Sequence, residues 1–516
     1  MLKLFISGSL IFFTFLSFAQ SQVKYELSEL SFQSSMEEDF FNNLDTNQSN
    51  LFPFYFTINV DDSASINQSA YQFEREVEDL KNRKIHRRFS KDLKKVYEQI
   101  HENFLIKYEE LSYFNQVFQD GTYNCVSAVI LYSLMFDELG IPYSIKETPT
   151  HVYLIADPNG EQILIETTDP VKGFAEFSNG FKENFISTLL AQKIIKESEI
   201  RGNDLNTVFE RYYFGGKRLN KLELASLQYY NRGIQEFSLS NFKAAYTNFS
   251  KAHFIYPNEK TEELLKISLV SILGQADYSN WDEIILLPKL EKFLGKEINI
   301  TQVEGEIGRM IQETLISKGN LKLADSAYNY TINRLQDSTL VDRVKFNYNY
   351  NLAVVNFNRG YYKNSYKNAQ IAYSLQPNHT STAPLLLQSF AKIYENEYEI
   401  TALEDLQNLI GKYPKLLENK ILVELQQNLL LQSIFLTLQD KNLKQAEEFR
   451  SKFEESISKS EINTYQANLL GNAYSMLCLE YFRRGYTSKA RQIVKKGLSF
   501  EPENYQLKSA RSMLYN

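Results

Sequence analysis

Three residues of this 516-residue chain have types that can do covalent chemistry together: Cys125, His151 and Glu166. Cys125 is one of only two cysteines. It stands in GTYNCVSAVILYSLMFDELGIPYS (Gly121 to Ser144), where an apolar helix is expected to begin. The first turn of a helix carries unpaired amide N–H groups and the positive end of the helix dipole. It therefore favours a thiolate and can hold the oxyanion of an acyl-transfer intermediate. Asn124 or Thr122 can cap that start. A cysteine nucleophile also needs a base, and the base needs a group to orient it. His151 opens the strand-like run HVYLIA, and Glu166 lies in the partner run QILIETT, with the turn residues Asp157–Gly160 (DPNG) between them. A hairpin turning near Asn159 sets positions 151 and 166 almost opposite each other, within reach of contact. Asp169 is a fallback orienter slightly later on the strand. Gln119, shortly before Cys125, is a candidate oxyanion donor.

Each of these residues also has a bland reading. Cys125 fits an apolar helix as a small core residue. Thr168 or a backbone amide can satisfy Glu166, and Gln119 fits a surface loop. Cys478 falls in an apolar helix contact and is read as core. A Cys125–Cys478 disulfide would need two distant segments to meet at restrictive geometry, and is not expected. The five histidines are scattered, and none pairs with a cysteine or another histidine at zinc spacing, so no metal and no cofactor is expected.

The elements that must position these groups are legible in outline. FPFYFTINV (Phe52–Val60) has the aromatic and β-branched content of a strand. Tyr71–Tyr108 repeats apolar residues at helical steps (Phe89, Leu93, Val96, Ile100, Phe104) and reads as one or two helices. The helix after Cys125 is expected to end at Gly140, just before Pro142. Helices followed by a hairpin make the front of the chain α+β.

Beyond about residue 220 the strand signals disappear and a repeating pattern takes over. One segment orders Gly233, Phe242, Ala245, Phe249, Ala252 and Pro257. A second orders Leu352, Gly360, Tyr362, Ala372 and Pro377, and a third Leu477, Tyr481, Gly485, Ala490 and Pro502. Ser365 is the small residue of the second segment, and weaker copies place small residues at Ala324, Ala402 and Ala446. Small residues let two helices touch, glycine permits the turn, and proline ends the second helix. This pattern resembles the tetratricopeptide repeat, which implies an all-α superhelix with a partner-binding surface.

The order of cysteine at a helix start, then histidine, then an acid on paired strands resembles the transglutaminase-like superfamily of papain-like acyl-transfer enzymes. The resemblance covers about residues 110–170. It implies an α+β papain-like core in which Cys125 is the nucleophile, His151 the general base and acid, and Glu166 the third member. Two departures stand out: the family usually has aspartate at the place of Glu166, and a different pattern just after the cysteine.

The start of the chain reads as an export signal: Lys3, the apolar run LFISGSLIFFTFLSF, then small residues at Ser17 and Ala19, with cleavage before Gln20. The apolar run is short of the roughly 20 residues that span a bilayer, and no later stretch reads as a span. The expected organisation is a signal peptide (1–19), a transglutaminase-like domain (20–205) and tetratricopeptide-type helical repeats (206–516), exported to the periplasm or beyond. A net charge of −7 argues against a nucleic-acid partner. Two functions compete. One is a cysteine enzyme acting on amide or peptide carbonyls, as protease, deamidase or cross-linker, with a protein or peptide held by the repeats. The other is a non-catalytic binding scaffold with a degenerate front domain.

Overall fold

The computed structural model describes residues 23–44, 51–59, 62–82, 89–148, 151–168, 173–191, 194–394, 401–457 and 462–515. The expected signal peptide and Asp169 lie outside them. The chain divides into two compact units, 1–275 and 276–516. The boundary read from sequence, at 205/206, falls inside the first unit.

The first unit contains eleven described α-helices: α1 (Ser35–Asn42), α2 (Ser63–Asn82), α3 (Phe89–Phe104), α4 (Phe114–Gln119), α5 (Cys125–Leu139), α6 (Asn179–Ala191), α7 (Glu197–Ile200), α8 (Leu205–Phe209), α9 (Lys221–Ser238), α10 (Phe242–Ile255) and α11 (Glu259–Gln275). Its strands are β1 (Lys107–Tyr108), β2 (Thr122–Tyr123), β3 (Tyr143–Glu147), β4 (Val152–Ala156), β5 (Ile163–Ile165), β6 (Phe174–Ala175) and β7 (Lys217–Leu219). Strands β3 to β7 form one antiparallel sheet in the order β6-β5-β4-β3-β7, and β1 and β2 form a short parallel pair. The unit is thus α+β.

Helix α5 is the centre of this unit. It is apolar on every side, and such a helix is stable only when wrapped. Strand β4 and helices α2, α4 and α9 surround it, and Ala128 through Tyr132 are fully buried. Each large aliphatic side chain buried there contributes about 1.5–3 kcal/mol. Gly140 ends the helix in the left-handed conformation (φ 65°), as its sequence position leads one to expect.

Of the strand expected at Phe52–Val60, the described residues Phe52–Asn59 form none, and Val60 lies outside the described residues. Phe54–Phe56 form a 3₁₀ turn, and Phe54, Tyr55 and Phe56 are all buried. A half-buried strand alternates inward and outward residues; three consecutive inward aromatics need a tighter coil. Phe52 packs on Phe73, Phe114 and Phe118, and the Tyr55 hydroxyl donates to the Lys221 carbonyl at 2.6 Å, so the segment plugs the space among α2, α4 and α9.

Helices α9 to α11 are fastened to the chain's first described segment. Glu37 of α1 and Lys251 of α10 form an ion pair at 2.8 Å with both side chains fully buried. The Tyr229 hydroxyl and the Gln33 amide also donate to Glu37. The Val23 amide donates to Glu262, and the Tyr25 and Tyr246 hydroxyls bond at 2.8 Å.

The second unit is helical throughout its regular elements: α12 (Trp281–Ile284), α13 (Ile300–Ile311), α14 (Leu321–Ile332), α15 (Ser338–Asn358), α16 (Tyr362–Leu375), α17 (Thr382–Ile393), α18 (Thr401–Lys412), α19 (Lys420–Gln439), α20 (Leu443–Ile457), α21 (Thr464–Arg483), α22 (Thr487–Phe500) and α23 (Tyr505–Tyr515). By length and composition alone, α19 could cross a bilayer, which the sequence reading did not expect; 56% of its apolar window is buried inside the fold.

Five helix hairpins, one in the first unit and four in the second, share a turn. A residue with positive φ (Ser240, Gly319, Gly360, Lys441 or Gly485) stands two positions before the second helix. Five positions after it comes a buried small residue: Ala245, Ala324, Ser365, Ala446 or Ala490. The repeated spacing in the sequence is therefore the spacing from turn to helix contact. Gly233, which the sequence suggests as a turn residue, instead sits inside α9, where an added Cβ would lie 2.5 Å from the fully buried Phe249 ring. Gly233→Ala is expected to destabilise the first unit by about 1–3 kcal/mol, read as a lower urea midpoint with unchanged slope.

Candidate active site

The Cys125 helix start is built by its neighbours. Gly121, at φ 75°, passes so close to Ile106 that a Cβ would meet its side chain at 2.6 Å, which lets β1 and β2 lie side by side. Asn124 is the cap. Its Oδ1 accepts from the Ser127 amide at 2.9 Å, and its Nδ2 donates to the carbonyls of Glu110 and Ser112. With Ser127 capped and Ala128 bonded to the Asn124 carbonyl, the amides of Cys125 and Val126 are left without an intrahelical acceptor. Cys125 is partly exposed, whereas Cys478 is fully buried and burial pushes its thiol up to about 11.

His151 stands at the mouth of the β3–β4 hairpin. The amide and hydroxyl of Thr148 both donate to its carbonyl, at 2.8 and 3.1 Å. Its ring stacks along Tyr153, with centroids 6.3 Å apart. Nε2 lies 2.6 Å from Glu166 Oε2, and the Cys125 side chain is near enough to act on the ring's charge.

Glu166 follows β5. The β4–β5 register pairs Leu154 with Ile165 and Ala156 with Ile163. Continued outward, it sets Glu166 across from Tyr153 and places His151 on the diagonal, one step further than the sequence suggests. A diagonal neighbour on the same face is within reach of a long side chain. The extra carbon of glutamate suits that longer span. The other oxygen, Oε1, accepts from the amide and hydroxyl of Thr168, at 3.0 and 2.7 Å. Thr168 and His151 therefore satisfy Glu166 together.

The electrostatics follow from these contacts. The Cys125 side chain, then the hydrogen bond to Glu166, push the His151 imidazole up to about 10, against a smaller opposing effect of burial. Burial alone would raise Glu166, but the hydrogen bonds from His151 and Thr168 outweigh it and hold the carboxyl below its ordinary value. The two side chains are 27% and 23% exposed, so the pair is neither sealed nor freely solvated. At neutral pH the ring is a cation between the sulfur and a carboxylate.

Gln119 ends α4, is exposed, and its Oε1 accepts from Asn115 at 3.3 Å. It is not among the residues that line the cavity at Cys125. The amides of Cys125 and Val126 remain as oxyanion donors.

A cavity of about 160 Å³ opens onto Cys125 and His151. Glu147, Thr148 and Val152 form one side of it. Ser226, Leu227, Tyr230 and Asn231 of α9 face it, with Asn258, Lys260 and Thr261 from the α10–α11 corner. Sequence reasoning missed this second wall, because nothing local marks residues that come from a helix hairpin a hundred positions away. Tyr108 was missed too. Burial first, then the charges of Cys125, Glu110 and Glu166 among others, push its phenol up, so it flanks the same group. The spacing Tyr123-Asn124-Cys125, with β1 paired to β2, is the signal that could have found it. Among the described residues no cluster of histidine, cysteine and carboxylates could hold a metal.

His151 and Glu166 thus meet at one end of the sheet, and the same cavity is lined by Cys125 and His151. Comparison with protein-family models and with curated proteins finds no match for this chain.

Proposed function

We propose that this protein is an exported cysteine enzyme of amide acyl transfer, with a transglutaminase-like front domain and a tetratricopeptide-type helical array that recruits a protein or peptide. One observation carries the reading: a partly exposed cysteine at a capped helix start shares an imidazole with a doubly bonded glutamate, beside an open cavity.

The chemistry follows from the contacts. Sulfur attacks an amide carbonyl carbon, and the amides of Cys125 and Val126 receive the oxyanion. The C–N bond breaks and the His151 imidazolium gives its proton to the leaving amine, which leaves a thioester on Cys125. The neutral ring then takes a proton from water or from a second amine, whose attack releases the acyl group and restores the thiolate. Glu166 holds the ring throughout and balances its charge.

The pH dependence has a definite sign. His151 is raised above the ordinary histidine value near 6.5, so its proton is fully in place below that pH and is lost only as pH rises through about 10. Proton donation to the leaving amine is expected to persist through pH 8–9 and to fall near 10. The acid limb is expected below the usual carboxylate range, where Glu166 protonates. A basic limb near pH 7 would show that the sulfur and the carboxylate do not hold the ring.

The test needs no substrate. At pH 6, iodoacetamide is expected to alkylate Cys125 well ahead of free cysteine, with Cys125→Ala as control and the product located by peptide mass. A rate no faster than free cysteine ends the reading.

A further inference from the structure

The cavity over Cys125 contains a carboxylate that the chemistry above does not use. Glu147 ends β3, next to Thr148, and lines the same space as Cys125 and His151. Its Oε2 accepts from the Tyr256 hydroxyl at 3.1 Å, which fixes it. Tyr230, on the facing wall, lies near enough for the charge of Glu147 to act on its phenol. Among the described residues Glu147 has no ion pair.

Several other shielded carboxylates of this unit are satisfied from within. Glu210 is paired with Lys146 and Arg218, Glu37 with Lys251, and Glu236 with Arg232. Glu76 is held instead by two carboxamides, of Gln99 and Asn103. Lys217 is the cross-strand neighbour of Glu147, but its ammonium lies over the Tyr256 ring, 4.0 Å from the centroid. Lys260 is exposed on the opposite side of the cavity. A negative charge flanked by phenols, open to a cavity and left without a cation is complementary to a cation supplied from outside. The volume, about 160 Å³, is below the ~300–1,000 Å³ typical of small-molecule pockets and suits one side chain of a larger substrate.

We propose that Glu147 is a specificity-determining residue that selects a peptide or protein bearing an ammonium or guanidinium group beside the reacting carbonyl. The inference rests on the acyl-transfer reading, because it takes Cys125 as the point of attack.

Charged thiol reagents test it on the full chain. Cys125 is modified with 2-(trimethylammonio)ethyl methanethiosulfonate and with 2-sulfonatoethyl methanethiosulfonate, and the ratio of rates is normalised to free cysteine. In Glu147→Gln the cation-to-anion ratio is expected to fall about fivefold at low salt. A fall of less than about twofold overturns the proposal. So does a ratio that rises by more than about twofold in Lys217→Met, which would mean that Lys217 already neutralises Glu147 in solution. Glutamine keeps the size of glutamate and can still bond Tyr256; Glu147→Asp keeps the charge and is expected to retain most of the selectivity. The neutral reagent iodoacetamide reports separately on the nucleophile. A slow iodoacetamide reaction sinks the acyl-transfer reading, whereas an unchanged charge ratio sinks only the role of Glu147.

Discussion

His151→Gln is expected to slow alkylation of Cys125 at pH 6 by about 10²-fold, and Glu166→Gln by about tenfold. Under the proposed function a neighbouring imidazolium favours the nucleophilic form of a thiol, which a free thiol hardly populates at that pH, and the weaker nucleophilicity of a stabilised thiolate keeps the expected ratio moderate. Glutamine at 151 removes the cation altogether. Glutamine at 166 leaves the cation but withdraws one of the two groups that raise it, the other being Cys125. The ranking matters as much as the sizes. Equal rates in wild type and His151→Gln would mean that the sulfur and the ring do not interact, and the acyl-transfer reading would fall. For turnover on an amide the losses should be larger, about 10³–10⁴-fold at His151, because the proton donor to the leaving amine goes as well.

The second large effect concerns stability. Lys251→Met is expected to destabilise the first unit by about 3–5 kcal/mol, because it leaves the Glu37 carboxylate buried without a counter-charge. The double variant Glu37→Gln, Lys251→Met should recover most of that loss. Glutamine can keep the Tyr229 and Gln33 hydrogen bonds, and no charge is left to bury. Urea denaturation of the wild type, both single variants and the double variant gives the coupling directly. A loss under about 1 kcal/mol for Lys251→Met would show that water reaches Glu37.

What could be read from the sequence was what local chemistry determines. Cys125 stood at a helix start with a capping asparagine beside it. His151 and Glu166 flanked a turn, and a hairpin brings its own ends together. The hairpin register came out one step different because the turn runs from Asp157 to Gln162, both with positive φ, rather than centring on Asn159. Small residues at regular spacing revealed the helix pairs. Hidden were features that depend on distant parts of the chain meeting. Glu37 and Lys251 carry no sign of each other in the sequence. Phe52–Val60 has strand composition but is used as an aromatic plug, because three helices leave it only a compact space.

The shared hairpin turn has a consequence for how the second unit comes apart. Each pair closes on its own small residue, and Ser365 also bonds Ser389 of α17, so neighbouring helices are linked in series. Opening can then start at the carboxyl end, with α22 and α23, and move inward one pair at a time, while Ser365 and Ala324 stay closed. Amide hydrogen exchange should therefore show a staircase of protection along residues 276–515, lowest at the last helix, in place of a single shared rate.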